Sequence, residues 1–232
     1  MYFKKRGLLM THDMLISLHD TEDELFFGKT KVLKFSLQYP LFSSARFGKA
    51  ANALNGCHKN RADICRRQIR QALYIRAVRD LKNSSGDVPF RPYEAVITCT
   101  VTYNQCCFVS LYFDTYRYMG GAHGSTLRSS ETWDLNNVRR VAMARFFPPA
   151  APYKTIIIGK IAAQIMSSIE KGSGAYFDDY EANAARCLNT SNFFLVPEGL
   201  KVYYQQYQLA PYSGGIPEFL IPFSDDMQSP CL

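Results

Sequence analysis

Apolar and polar positions alternate with two different periods along this chain, and the places where the period changes divide it into elements. Lys31 to Tyr39 alternates as a strand, with Val32, Lys34 and Ser36 on one side and Leu33, Phe35 and Leu37 on the other. Pro40 is expected to end it. From about Phe47 to Leu81 the period becomes helical: Cys65, Ile69, Leu73, Ala77 and Leu81 recur every fourth residue, and Ala72 widens the stripe. A turn cluster, Asn83-Ser84-Ser85-Gly86-Asp87, closes that segment. Tyr93 to Tyr103 and Cys106 to Tyr118 are then rich in β-branched and aromatic residues, with Asn104-Gln105 as the expected hairpin connection, and Ser125 to Leu135 continues the pattern. Three adjacent antiparallel strands are the economical arrangement of these runs.

Pro148, Pro149 and Pro152 precede a second helix, whose stripe is Ile157, Ile161, Ile165 and Ile169 and whose stop is Gly172 and Gly174. A short helix within Tyr176 to Cys187 follows. A second hairpin runs from Phe193 to Val196, through Pro197-Glu198-Gly199, to Leu200 to Tyr207, and Glu218 to Phe223 is a final strand. Residues 1–28 hold an acidic cluster (Asp20, Glu22, Asp23, Glu24) and no sustained period, and read as a loosely held leader. The pattern as a whole is α+β: antiparallel sheets with packed amphipathic helices, in two helix-plus-sheet halves of one compact domain, 29–115 and 116–232.

Charge adds one feature. The chain of 232 residues has a net charge of +7 and a pI near 9.0, which favours anionic partners. Between Lys59 and Lys82 eight basic residues face only Asp63 and Asp80, so 8 − 2 = +6 of that charge lies on one helix. This is either the solvated face of an amphipathic helix or an anion-binding face centred on Arg66, Arg67 and Arg70. The seven cysteines form no C-x-x-C pair; they read as buried thiols, with a disulfide through Cys231 as the alternative. None of His12, His19, His58 and His123 forms an H-x-x-x-H pair, and no metal or cofactor is expected. Met1 to Met10 has the basic start of a secretory signal, but His12 and Asp13 interrupt it and no cleavage site follows cleanly. No run approaches the roughly 18 apolar residues of a membrane span.

Two runs carry candidate chemistry. Tyr116-Arg117-Tyr118-Met119-Gly120-Gly121-Ala122-His123-Gly124 places three glycines around a histidine, a backbone able to take positive φ, to approach a neighbour closely or to present His123. The plainer alternative is a tight connection between two strands, with His123 satisfying a nearby carbonyl. The second run, Tyr203 to Pro217, follows strand tyrosines with a Pro/Gly loop and could offer Tyr207 and Tyr212 as an aromatic platform, or merely cover the sheet.

Together these runs resemble one family, the extracellular domain of the lysozyme-sensing anti-sigma factor RsiV, also found in PdaC-type peptidoglycan deacetylases. The resembling elements are Tyr116 to Gly124, then Gly199-Leu200, Tyr203, Gln206 in place of a second tyrosine, Ala210-Pro211-Tyr212, Gly215-Ile216-Pro217 and Ile221-Pro222, within about residues 30 to 225. The resemblance implies an α+β fold, an extracellular or envelope location, and a non-catalytic module. Its partner would be a cell-wall polymer or wall-associated protein, bound through Tyr116, Tyr118, Gly120, Gly121, His123, Tyr207 and Tyr212. Two other classes stay open: an enzyme with His123 as base and Ser125 or Asp114 as partner, and an intracellular binder of nucleic acid or another polyanion through the 59–82 helix.

Overall fold

A computed structural model describes residues 14–85, 89–223, 227–228 and 230. The expected secretory start, part of the 83–87 turn cluster and Cys231 lie outside the described residues. The first sheet has six strands in sequence order: β1 (Leu15–Phe27), β2 (Thr30–Ser43), β3 (Tyr93–Gln105), β4 (Phe108–Tyr118), β5 (Ser125–Asp134) and β6 (Arg139–Arg140). The second has three, β7 (Phe193–Val196), β8 (Gly199–Tyr203) and β9 (Glu218–Pro222). The chain is α+β, as its periods imply.

Several expectations need correction. The supposed leader contains β1, which pairs with β2 along its length through a two-residue turn opened by Gly28 at φ +59°. As a mostly exposed edge strand, it shows no apolar alternation in the sequence. Pro40 does not end β2: beyond Leu37 that strand pairs with β1 only, so a residue lacking an N–H is tolerated on the open side. The β3–β4 turn is Cys106-Cys107, both at positive φ (53° and 63°), rather than Asn104-Gln105. Cys106 is disulfide-bonded, whereas Cys57, Cys65, Cys99, Cys107 and Cys187 are free.

The first sheet is mixed rather than antiparallel throughout, because β2 and β3 run parallel. Their crossover is helical: α1 (Gly48–Gln68), a π-helical turn (Ile69–Leu73) and α2 (Tyr74–Lys82). The four-residue recurrence of apolar positions explains the π-turn. A straight α-helix has 3.6 residues per turn, so a strict period of four would rotate its stripe off the sheet, and a wider turn restores the facing. Ala50, Ala51, Leu54, Ala62, Ile69 and Ala77 are buried accordingly.

In the second half, α3 (Tyr153–Glu170) buries Ile157, Ile161 and Ile165 in a core with Phe193, Leu195, Leu200, Val202, Phe219 and Ile221. Ile169, expected on that stripe, is 47% exposed. Gly172, at φ +66°, stops the helix, and α4 (Tyr180–Arg186) follows. The division at 115/116 cuts through β4; the first sheet continues to Arg140.

Buried polar contacts join the sheets. Leu195 N–H donates to Ser110 Oγ (2.9 Å), which lies 2.8 Å from Thr132 Oγ1, and the Tyr112 and Phe194 rings sit 5.0 Å apart. Arg128 on β5 grips Asp114 on β4 with two bonds of 2.7 Å, reaches Glu218 on β9 and lies over the Tyr112 ring. Burial alone would lower the Arg128 pKa, but Asp114 and Glu218 outweigh it and raise it.

Candidate functional site

Strand β5 has an open edge beyond its short pairing with β6, and two glutamine side chains cover it. Gln205 acts as a missing strand would: its Oε1 accepts from Arg128 N–H (3.0 Å) and its Nε2 donates to Arg128 O (2.7 Å). Gln206 Oε1 accepts from Thr126 N–H (2.7 Å). These bonds satisfy exposed backbone groups and fix the 205–217 segment beside the loop that follows β4.

The two loops therefore meet. The His123 and Tyr212 rings stack with centroids 3.9 Å apart and planes 23° from parallel, and Tyr207 lies 6.1 Å from Tyr212. Tyr207 and Tyr212 are 53% and 36% exposed, so the three rings form a solvent-facing row. The row borders a cleft of about 440 Å³ lined by Thr115, Arg117, Ser125, Thr126, Leu127, Gln205, Gln206 and Tyr207. An aromatic row beside hydroxyl, amide and guanidinium groups can stack against an apolar ring face while bonding its polar rim.

The other expected residues are distributed around this surface. Tyr116 packs beneath the loop, where a Cβ on Gly124 would overlap its ring. Gly120, at φ +83°, makes the turn. Gly121 needs neither a positive φ nor a close approach, so its expected role is not required by the backbone. Tyr118 lies apart from the row, with its hydroxyl 3.5 Å from Arg91. His123 Nδ1 is also 2.9 Å from Gly124 O, so the plainer alternative for its hydrogen bond coexists with the stack. Asp114, the carboxylate suggested as its partner, has both oxygens on Arg128. Sequence reasoning missed Gln205 and Arg128, whose partners lie 77 and 90 residues away.

These contacts assign different costs to the glycines. Gly120→Ala is expected to cost about 1 kcal/mol through left-handed strain, and Gly124→Ala about 1–3 kcal/mol through overpacking on Tyr116. Gly121→Ala should stay within about 0.5 kcal/mol. Urea unfolding midpoints check the order, and Gly121→Ala as the most damaging of the three would contradict it.

The basic helix is less available than its sequence implies. Arg66 pairs with Asp63 (2.8 Å), Arg70 pairs with Asp23 of β1, and Arg61 reaches Glu131 (3.0 Å). Of the three proposed anion-binding residues, only Arg67 has no ion pair among the described residues. No group of three or more His, Cys, Asp or Glu residues is placed to hold a metal among the described residues, and no described helix is long and apolar enough to cross a membrane.

Residues 28–126 match the family model described as deacetylase PdaC, and residues 144–224 match that of a protein of unknown function, DUF3298. The peptidoglycan-N-acetylmuramic acid deacetylase PdaC of Bacillus subtilis (strain 168) is 20% identical over 183 residues, covering 78% of this chain. The chain spans only 35% of that relative's length. A solved DUF3298 family structure from Bacteroides fragilis NCTC 9343 aligns with a TM-score of 0.63 at 19% identity, covering 94% of this chain and 96% of the other. Another from Pseudomonas aeruginosa PAO1 aligns at 0.58 and 15%, covering 94% and 95%. The family-model match and the Bacillus relative carry the PdaC part of the resemblance, the solved structures carry the fold, and the RsiV part rests on the motifs alone. The chain thus resembles PdaC-like proteins in its first part and DUF3298 proteins in its second.

Proposed function

We propose that this chain is a non-catalytic, envelope-associated module that binds a cell-wall polymer along the His123–Tyr212–Tyr207 row and its neighbouring cleft. The observation that carries the reading is the exposed stack itself. A loop after β4 of the first sheet and a loop before β9 of the second bring three rings together at the surface. A glycan presents apolar ring faces and a rim of hydroxyl and amide groups, which complement these rings and the adjacent Arg117, Thr126 and Gln206. The Bacillus relative is a peptidoglycan deacetylase by name, which supports a wall polymer as the ligand class. Binding of this kind uses no nucleophile, and His123 is held by ring stacking and a backbone carbonyl rather than by Asp114.

Co-sedimentation with purified peptidoglycan tests the reading. Raising salt from about 0.1 M to 1 M shortens the Debye length from about 10 Å to 3 Å. Binding by stacking and neutral hydrogen bonds should persist through that change. Loss of the pelleted protein at high salt would instead favour the basic helix as a polyanion site, and no sedimentation at either salt would refute the wall-polymer reading.

A further inference from the structure

Of the residues that line the cleft beside the aromatic row, Arg117 alone carries a formal charge at neutral pH. Strand β4 pairs with β5 so that Arg117 lies opposite Ser125 and Thr115 opposite Leu127. Residues two apart on a strand point to the same side, so these four side chains share one face of the sheet. Serine and threonine are too short to shield a guanidinium, and Arg117 is exposed. Among the described residues its side chain has no ion pair or hydrogen bond.

The carboxylates nearest to it along these strands are engaged elsewhere. Asp114 points to the opposite face of β4 and gives both oxygens to Arg128. Glu218 serves Arg128 and Lys201, and Glu94, on the strand alongside, pairs with Lys34 at 3.0 Å. Arg61, Arg66, Arg70 and Arg140, by contrast, each meet a carboxylate of the chain itself. An uncompensated cation in the wall of a cleft concentrates anions there. Its planar fork of N–H groups fits the two oxygens of a carboxylate. Leu127, 61% exposed on the same face, adds apolar surface nearby.

We propose that this cleft selects carboxylate-bearing sugars, with Arg117 holding the carboxylate while a sugar ring stacks on the His123–Tyr212–Tyr207 row. The inference rests on the wall-polymer reading and narrows its ligand. Two sources present that chemistry: a carboxylate on the ring itself, as in a uronic acid, and one on a short alkyl ether, whose carbons would meet Leu127. An exposed ion pair contributes up to about 1 kcal/mol, which sets the preference over a neutral sugar at about fivefold.

Titration calorimetry of the wild-type protein with tetrasaccharides tests this without requiring a variant to fold. Chitotetraose is neutral, a hyaluronan tetrasaccharide carries ring carboxylates, and a peptidoglycan glycan tetrasaccharide freed of its peptides carries alkyl-ether carboxylates. At about 0.1 M salt, one or both acidic sugars should bind about fivefold more tightly than chitotetraose, and the tighter of the two identifies the source. At about 1 M salt, where the Debye length is about 3 Å, that preference should fall towards parity while stacked binding remains. Arg117→Gln should likewise bring the ratio of affinities towards one. Equal affinities in the wild type, no binding of any of these sugars, or a preference that survives in Arg117→Gln overturns the proposal. Competition by polyglycerol phosphate, an anionic polymer without sugar rings, also overturns it, since any anion would then suffice. Co-sedimentation with whole peptidoglycan is scored independently of all these outcomes, so failure of this inference is separable from failure of the wall-polymer reading.

Discussion

Replacing Glu131 with glutamine is expected to destabilise the fold by about 3 kcal/mol at neutral pH, the low end of the cost of breaking a buried ion pair. Glu131 is 5% exposed, yet its carboxylate meets His58, Arg61 and Arg140. Glutamine keeps the shape and removes the charge. The low end applies because the Arg61 and Arg140 side chains are 36% and 52% exposed and can turn to water, whereas His58 cannot. Depression of the carboxyl from 4.5 to about 2 gives the same order of magnitude. The sign follows from linkage. The folded carboxyl holds its proton less tightly than the unfolded one, so its contribution is complete above about pH 4.5 and is lost as pH falls towards about 2. Urea unfolding of wild type and Glu131→Gln should show a gap at pH 7 that narrows between pH 4.5 and 3. A gap below about 1 kcal/mol at pH 7, or one independent of pH, would contradict this account of the network.

Tyr212→Ala is expected to weaken peptidoglycan binding by about thirtyfold, equivalent to about 2 kcal/mol for an aromatic anchor at the centre of a binding surface. Tyr212 is the middle ring of the row, and its removal separates His123 from Tyr207. The fold itself should lose only the stacking contribution, about 0.5–1.5 kcal/mol. Co-sedimentation isotherms measure the first effect and chemical unfolding the second. A large stability loss with unchanged binding would make Tyr212 a structural residue.

How much of this was legible in the sequence depended on what each residue touches. Strands β2 to β5 and β7 to β9, and helices α1 and α3, bury one face and so imprint a period. β1 buries little and imprints none. Cys106-Cys107 takes the left-handed turn without a glycine or asparagine to announce it. The tyrosines and glycines of the two loops stood out as a pattern, but their meeting depends on Gln205 and Gln206 copying a strand across about 80 residues of chain. Glu131 carried a local signal that went unused, a carboxylate on β5 beside Thr132 and Trp133, in a run otherwise suited to a sheet. Its partners on α1 lie about 70 residues earlier, beyond the reach of local reasoning.

Tyr207 permits the most direct test of the central claim, because its backbone and its ring make opposite demands. It sits at φ +65°, a left-handed conformation that costs a tyrosine about 1–2 kcal/mol and a glycine almost nothing. Its ring is more than half exposed at the rim of the cleft. Tyr207→Gly should therefore leave stability unchanged or raise it by up to about 1 kcal/mol, while peptidoglycan co-sedimentation falls by about tenfold or more. A Tyr207→Gly protein that is equally stable and binds peptidoglycan as tightly as wild type would contradict the assignment of the aromatic row as the binding surface.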